Sequence, residues 1–360
     1  MGAHMRVGIV LFVASMLATS LSWSAASSLA ALDEELSRRA ADGSFAGAVS
    51  ITQGGALLLS AARGDADRER KVPNTPDTKF RFGSMGKMFT AVAIAQLAQA
   101  GKLSFDDPLG KFLADYPNAQ VAKVTLHQLL THTGGTGDIF GPEFMAKRGQ
   151  LKALRDYVAL YGARAPEFPP GSRHQYSNYG FILLGRVIEE VSGKSYDRYV
   201  REHIFLPAGM TSTDNQPESA NVSGLAVPYS SDPAGALRSA ADTLPWCGTS
   251  AGGGYSTVRD LQKFAGALLA HRLLDEAHTA LLLTGKVETP RRGLRYAYGF
   301  EDAQLPNGLH RVGHGGGAPG MNGVLAIYPE EGFVVVVLAN RDPPAAMAID
   351  RFIADRIVTR

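Results

Sequence analysis

The sequence predicts an α/β protein in which one antiparallel sheet is assembled from both ends of the chain. Strand-like segments, rich in Val, Leu and Ile, occur near residues 45–62 and again beyond residue 296. Helical periodicity dominates the stretch between them. Amphipathic segments near each terminus add flanking helices to the sheet. The expected architecture is therefore a sheet with N- and C-terminal helices against it, a mostly helical second lobe, and a cleft where they meet.

The strand assignments follow from apolar runs bounded by turn residues. Residues 45–52 and 56–62 are separated by Gln-Gly-Gly, which is typical of a hairpin. The Pro-Glu-Glu-Gly run at 329–332 indicates a second hairpin. The remaining predicted strands are 296–301, 309–312, 324–328 and 333–338.

The helix assignments follow from apolar spacing of three and four residues. The terminal helices are expected at 28–41 and 344–358. Glycine ends two of the inner segments, at Gly101 and Gly193. The inner helices are predicted at 85–100, from 126 onward, at 151–161, at 180–191 and at 257–269.

The N-terminus is interpreted as two segments that precede the folded unit. Residues 1–4 are a cloning remnant, and residues 5–26 combine a basic residue, an apolar run and a small-residue end, as in a bacterial signal peptide. Residues 27–360 then form a single domain, with an α/β lobe at about 27–80 and 290–360 and a helical lobe at about 81–289. We expect a periplasmic or secreted protein without a stable membrane span after cleavage; an uncleaved anchor is the alternative.

Composition excludes several classes of function. The 360 residues carry a net charge of +2 with no block of like charges, which argues against nucleic acid as a partner. The single cysteine, Cys247, rules out an internal disulfide framework. The histidine pairs His310/His314 and His127/His132 offer no third ligand, so neither a metal site nor a cofactor is predicted.

The most informative short pattern is Ser84-x-x-Lys87, which occurs once in the chain, at the start of an apolar helical stretch. Residues three apart share a helix face, so the hydroxyl and the amine lie within reach of each other. A helix N-terminus also offers free N–H groups. These are the components of nucleophilic acyl transfer.

Two further patterns accompany it. Tyr176-x-Asn178 follows a Pro-Pro-Gly turn and precedes a helix, so the phenol is presented from a loop. His314-x-Gly316 opens a glycine run, which marks a place where another backbone or a ligand approaches closely. A buried aromatic residue and a plain hairpin are the respective structural alternatives.

In this order, the three patterns resemble the signature of the serine hydrolases of the class C β-lactamase and penicillin-binding-protein clan, near its D-aminopeptidase-, DD-peptidase- and family VIII esterase-like members. The resemblance covers roughly residues 30–340 and includes the phrases at 129–135 and 250–257. It implies the β-lactamase/transpeptidase-like fold and an acyl-enzyme on Ser84.

The resemblance also assigns the remaining roles. Lys87 and Tyr176 would share the removal of the Ser84 proton, and the N–H groups of Ser84 and Gly317 would form the oxyanion hole. Asn178 would hydrogen-bond Lys87 and orient the acyl side chain, while His314, with Gly316, would anchor the substrate beyond the scissile bond.

The substrate class stays open between an ester, a peptide and a β-lactam-like compound. Lactamases of the clan carry lysine where this chain has His314, and a histidine is mostly neutral at pH 7, so an esterase or D-amino-acid peptidase is favoured over a β-lactamase. A penicillin-binding protein without turnover is a further alternative. Gly248-x-Ser250-x-Gly252 also matches the α/β-hydrolase elbow, but proline precedes it and no parallel βαβ pattern surrounds it. Oligomeric state is not predicted.

Overall fold

The computed structural model describes residues 28–358, so the predicted cloning remnant (1–4) and signal peptide (5–26) lie outside the described residues. Its strands are β1 (Gly47–Gln53), β2 (Ala56–Arg63), β3 (Asp65–Asp67), β4 (Val72–Pro73), β5 (Phe80–Arg81), β6 (Tyr229–Ser231), β7 (Leu237–Ser239), β8 (Tyr255–Ser256), β9 (Val287–Glu288), β10 (Leu294–Tyr296), β11 (Glu301–Gln304), β12 (His310–Ala318), β13 (Met321–Tyr328) and β14 (Phe333–Ala339).

The helices follow the same order along the chain. They are α1 (28–41), α2 (Gly86–Gln99), α3 (Leu126–Leu130), α4 (Pro142–Lys147), α5 (Leu154–Tyr161), α6 (Asn178–Ser192), α7 (Tyr196–Val200), α8 (Leu206–Ala208), α9 (Val258–Leu269), α10 (Glu276–Leu283) and α11 (Ala345–Ile353). Within residues 28–358, no helix combines the length and the apolar character needed to cross a bilayer.

An eight-stranded sheet organises the fold, with strand order β2-β1-β14-β13-β12-β11-β10-β9. Every pairing in it is antiparallel. Strand β1 pairs with β14 from Gly47↔Ala339 to Gln53↔Phe333, which joins the two ends of the chain. The predicted α/β fold, with an antiparallel sheet built from distant segments, is confirmed.

Two hydrophobic cores cover the two faces of this sheet. On one face α1 and α11 contribute Leu32, Leu36 and Ile349, which pack on β13 and β14. On the other face lies the larger core, which includes α2, α6 and α9. Helix α2 is buried along nearly its whole length. Its N-terminus is therefore held in a fixed position beside β12.

The sheet differs from the sequence prediction at residues 296–301 and along β12. The predicted strand 296–301 is two strands, β10 and β11, because residues 297–300 form a turn with Gly299 at φ +69°. A Cβ at Gly299 would lie 2.7 Å from the carbonyl oxygen of Lys87, so this turn packs directly on α2. Strand β12 also extends through the glycine run, where sequence propensity favours a loop.

Candidate active site

Ser84 lies in a 3₁₀ turn, Gly83–Met85, that leads directly into α2. Gly83 has φ +54°, a conformation that favours glycine. Gly252 and Gly253 lie against this turn: the N–H of Gly253 donates to the carbonyl of Gly83, at 3.1 Å, and a Cβ on Gly252 would be 2.6 Å from the same oxygen. The glycine run after residue 250 therefore fixes the turn that presents the serine.

The glycines of β12 close the opposite side of this turn. A Cβ on Gly316 would lie 2.1 Å from the carbonyl oxygen of Phe82 and 3.1 Å from the amide nitrogen of Ser84. A Cβ on Gly83 would lie 3.2 Å from the amide nitrogen of Gly317. The backbone of Gly316 and Gly317 therefore lies directly against the turn that carries Ser84. This close approach is a requirement of the predicted oxyanion site, in which the N–H groups of Ser84 and Gly317 would act together.

Lys87 is completely buried, and its ammonium nitrogen lies 3.3 Å from the Ser84 hydroxyl oxygen. The same nitrogen donates to Asn178 Oδ1 at 2.7 Å and to the carbonyl of Ala251. Burial lowers the pKa of Lys87 to about 7, against an opposing effect from Asp138. At neutral pH a substantial fraction of Lys87 is a neutral amine, which can accept a proton from Ser84.

Tyr176 enters the site from the loop before α6, whose first turn is capped by the Ser177 hydroxyl. Tyr176 is 37 % exposed, and Lys87 Nζ lies 4.7 Å from the centroid of its ring. Burial of the hydroxyl raises the pKa of Tyr176, and the nearby Ser84 side chain opposes this effect only in part. Tyr176 is therefore protonated at neutral pH, and Lys87, whose pKa is lowered to about 7, is the one of the two groups that can be deprotonated and accept a proton.

Asp138 is a site residue that the sequence prediction missed. Both of its carboxylate oxygens accept from the Asn178 amide nitrogen, at 3.0 and 3.1 Å. Asn178 in turn accepts from Lys87, so a chain of hydrogen bonds links the carboxylate to the ammonium. The one sequence signal for Asp138 is its position in the glycine-rich loop that follows Thr133, because Asp138 belongs to none of the three motifs.

His314 lies beside the site, with its ring centroid 6.4 Å from that of Tyr176. Its Nε2 is 2.9 Å from the Tyr296 hydroxyl and its Nδ1 is 2.5 Å from the carbonyl of Gly315. Burial lowers the pKa of His314 to about 4, so the ring is neutral. With Nδ1–H donating to Gly315, Nε2 accepts from Tyr296, and both ring nitrogens are engaged within the protein.

His132, in the phrase at 129–135, supports the same loop. It is 1 % exposed and adopts φ +57°, an uncommon conformation for a non-glycine residue. Its Nδ1 accepts from the N–H of Ser177 at 3.1 Å, and its ring lies 4.2 Å from that of Tyr176. Its Nε2 has no hydrogen-bond partner among the described residues. His132 therefore fixes both the backbone and the ring plane of the tyrosine loop.

The competing motifs lie elsewhere. Ser250 is fully buried in a tight turn closed by Thr249 and Gly252, and its hydroxyl contacts α6 rather than the cleft. Across residues 28–358, no cluster of three or more His, Cys, Asp or Glu side chains is arranged to hold a metal ion.

Comparison with known proteins agrees with this geometry. A family model described as Beta-lactamase matches residues 32–360. The chain belongs to the β-lactamase family. The resemblance inferred from the three motifs is thus confirmed, and this protein is a serine hydrolase of that clan.

Relatives of this family member include named penicillin-binding proteins and amidohydrolases. PbpX of Bacillus subtilis, which carries the name of a penicillin-binding protein, is 30 % identical over 302 residues, covering 82 % of this chain and 70 % of its own. A penicillin binding protein from Bacillus halodurans is 36 % identical with a TM-score of 0.80, covering 86 % and 97 %. A D-stereospecific amidohydrolase from Streptomyces sp. is 27 % identical with a TM-score of 0.78, covering 91 % and 98 %.

Proposed function

We propose that this protein hydrolyses ester and amide bonds of small acyl compounds through a covalent acyl-enzyme on Ser84. The observation that carries the proposal is Lys87, a completely buried amine with a pKa of about 7 at 3.3 Å from the Ser84 hydroxyl. A base with a pKa near the working pH is efficient in general-base catalysis. The similarity to a D-stereospecific amidohydrolase supports the same reaction class.

In the proposed acylation step, neutral Lys87 accepts the Ser84 proton while the hydroxyl oxygen attacks the acyl carbon. The N–H groups of Ser84 and Gly317 stabilise the oxyanion that forms. Protonated Tyr176 donates its proton to the leaving group and regains one from the Lys87 ammonium. The products of this step are the free alcohol or amine and the Ser84 ester, with Lys87 neutral again.

Deacylation reverses these roles. A water molecule attacks the Ser84 ester and loses its proton towards Lys87, through Tyr176 or directly. The tetrahedral intermediate then expels Ser84, which takes the proton back, and the carboxylic acid leaves. The chain of hydrogen bonds from Lys87 through Asn178 to Asp138 keeps the amine in place through both steps.

The charges around the cleft support an ester or amide substrate over a β-lactam. His314 occupies the position at which lactamases of the clan carry lysine, and its pKa of about 4 leaves it neutral. The described residues that line the cavity beside Ser84 include no lysine, arginine or histidine. A substrate carboxylate, as in a β-lactam or a D-Ala-D-Ala terminus, would find no cation there to pair with.

Substitution of two serines tests the proposal. We expect Ser84→Ala to abolish hydrolysis of a short-chain nitrophenyl ester, whereas Ser250→Ala retains most of it, because the Ser250 hydroxyl is buried without a hydrogen-bond partner. Mass spectrometry of a quenched reaction should locate the acyl group on the peptide that contains Ser84. Full activity of Ser84→Ala would refute the proposed function.

Export is part of the proposal and rests on residues 5–26, outside the described residues. Expression in a bacterium with its own Met5 start, followed by cell fractionation and N-terminal sequencing, tests it. We expect periplasmic or secreted protein that begins near residue 27. Protein that retains residues 5–26 in the cytoplasm would contradict export.

A further inference from the structure

A cavity of about 280 Å³ opens directly beside Ser84. Its inner wall carries Ser84, Asn178 and the backbone of Gly317, so a group attached to the acyl carbon projects into it. The other walls come from the segment 139–145, Tyr157 on α5, the loop 243–245, residues 249–253, and the connection between β12 and β13.

Most of the side chains that shape this cavity are apolar, and the polar ones among them are uncharged. Ile139, Phe144, Tyr157, Leu244 and Met321 form its buried walls, each less than a tenth exposed. No aspartate, glutamate, lysine, arginine or histidine of the described residues lines it. The walls thus offer contacts to hydrocarbon and no partner to a charge.

Two large apolar side chains stand at the mouth of the cavity. Phe140 is 60 % exposed and Met145 is 47 % exposed. The Phe140 ring packs edge-on against Phe144, with centroids 5.1 Å apart. These two side chains extend the apolar surface of the cavity outward, and an apolar group bound there would cover them.

We infer that this cavity binds a neutral, apolar acyl group, a straight chain of about four to eight carbons or a single aryl ring, and rejects an acyl group that bears an α-ammonium. The inference rests on the proposed function and specifies its substrate class. A dry apolar cavity of roughly 150 Å³ holds a benzene molecule, so about 280 Å³ accommodates a group somewhat larger than one ring.

The rejection of an α-ammonium follows from the position of Asp138, the carboxylate that is hydrogen-bonded to the cavity residue Asn178. Its two oxygens accept from the Asn178 amide, and Oδ1 also accepts from the N–H of Ile139. It does not line the cavity and is committed to holding Asn178. An ammonium in the cavity would therefore lose its hydration without gaining an ion pair. The substrate of this chain thus differs from a free D-amino-acid amide.

Two substrate series test the inference on the full chain. Across nitrophenyl esters from acetyl to octanoyl, we expect kcat/KM to rise about fourfold per buried methylene until the cavity is filled, and more than tenfold in total. Between nitrophenyl esters of 3-phenylpropionate and D-phenylalanine, which differ by one ammonium, we expect the former to be favoured at least tenfold after correction for spontaneous hydrolysis.

A pair of exposed methionines provides matched variants. Met145→Glu places a carboxylate at the cavity mouth. The ratio of kcat/KM for the hexanoyl ester to that for the acetyl ester should therefore fall at least fivefold. The kcat/KM of the D-phenylalanyl ester should rise relative to that of the 3-phenylpropionyl ester. Met347→Glu is the control: Met347 is 40 % exposed on α11, across the sheet from the site, and its variant should keep the wild-type ratios.

The outcomes separate the inference from the proposed function. Loss of activity in Ser84→Ala together with a flat chain-length series, or with a preference for the ammonium ester, would overturn the inference alone. As a second readout, alkyl fluorophosphonates of increasing chain length label a nucleophilic serine without turnover. Labelling of Ser84 should accelerate with chain length in wild type and less so in Met145→Glu; equal rates would also overturn the inference.

Discussion

Replacing Asp138 by asparagine isolates the one carboxylate that acts on Lys87 from within the site. The Lys87–Asn178 contact is 2.7 Å and the Asn178–Asp138 contacts are 3.0 and 3.1 Å. With the amide between them, the two charges are roughly 7 Å apart, which corresponds to about 2 kcal/mol at an effective dielectric constant near 20 and about 0.6 kcal/mol in water. Asparagine keeps an oxygen that accepts from Asn178 but removes the charge.

The sign of the effect follows from the charge of the proton-bearing form. Asp138 favours the ammonium and so raises the pKa of Lys87, while burial lowers it to about 7. Without the carboxylate the pKa falls further, because only the opposing effect is lost. Since kcat/KM requires neutral Lys87, its acid limb should have a midpoint near pH 7 in wild type and roughly one pH unit lower in Asp138→Asn.

The assay is kcat/KM for a non-ionising nitrophenyl ester from pH 5 to 9, with thermal unfolding recorded in parallel. Glu143→Gln is the matched control, since Glu143 is a nearby carboxylate that pairs with Lys147 and Arg164 on the surface. Its profile should coincide with that of wild type. A midpoint that stays fixed or moves upward in Asp138→Asn, with unfolding unchanged, would refute the assignment of Lys87 as the base.

Two further predictions concern His314 and His132. We expect turnover of a chromogenic cephalosporin to be absent or weak next to that of a short-chain ester at pH 7, because the neutral His314 ring cannot pair with the cephalosporin carboxylate; robust cephalosporin turnover would show that the position needs no cation. We expect His132→Ala to cost about 1–3 kcal/mol of unfolding free energy in a denaturant titration, since it leaves the buried Ser177 N–H without its acceptor. The His132→Ala variant should also lower kcat more than it raises KM, because Tyr176 loses the ring packed against it. If Leu36→Ala, in the core on the other face of the sheet, lowered kcat equally, the role of His132 would be purely structural.

The sequence predicts the parts of the fold that depend on regular periodicity. Helix α2 and helix α6 have long apolar patterns ended by Gly101 and Gly193, and both lie within two residues of their predicted bounds. Helix α4 was missed because it is only six residues long. Strand β12 was predicted too short because its glycines have low strand propensity; their packing against Ser84, which only the fold supplies, keeps them extended.

The sequence motifs identify side chains that the fold brings together, such as Ser84, Lys87 and Asn178, but they do not indicate how deeply each side chain is buried or which groups it contacts. The spacing of Ser84 and Lys87 predicted their contact, which the structure places at 3.3 Å. The pKa of Lys87 and of Tyr176 depends on burial, which no local pattern encodes. The role of His314 as a substrate anchor stays a prediction. Its hydrogen-bond partner Tyr296 comes from another strand, whose register is not readable from the motif. Asp138 joins the site through Asn178 alone.

The glycines that pack against the Ser84 turn, Gly252 and Gly316, restrict how the sequence of this enzyme can evolve. Side chains are excluded at Gly316, where a Cβ would overlap the carbonyl of Phe82, and at Gly252, where it would overlap that of Gly83. Substitution at either glycine would displace the turn that carries Ser84, so we expect it to abolish the reaction, whereas residues 139–145 and 243–245 line the cavity beside the serine. New substrate ranges should therefore arise in those two segments, with the chemistry inherited intact.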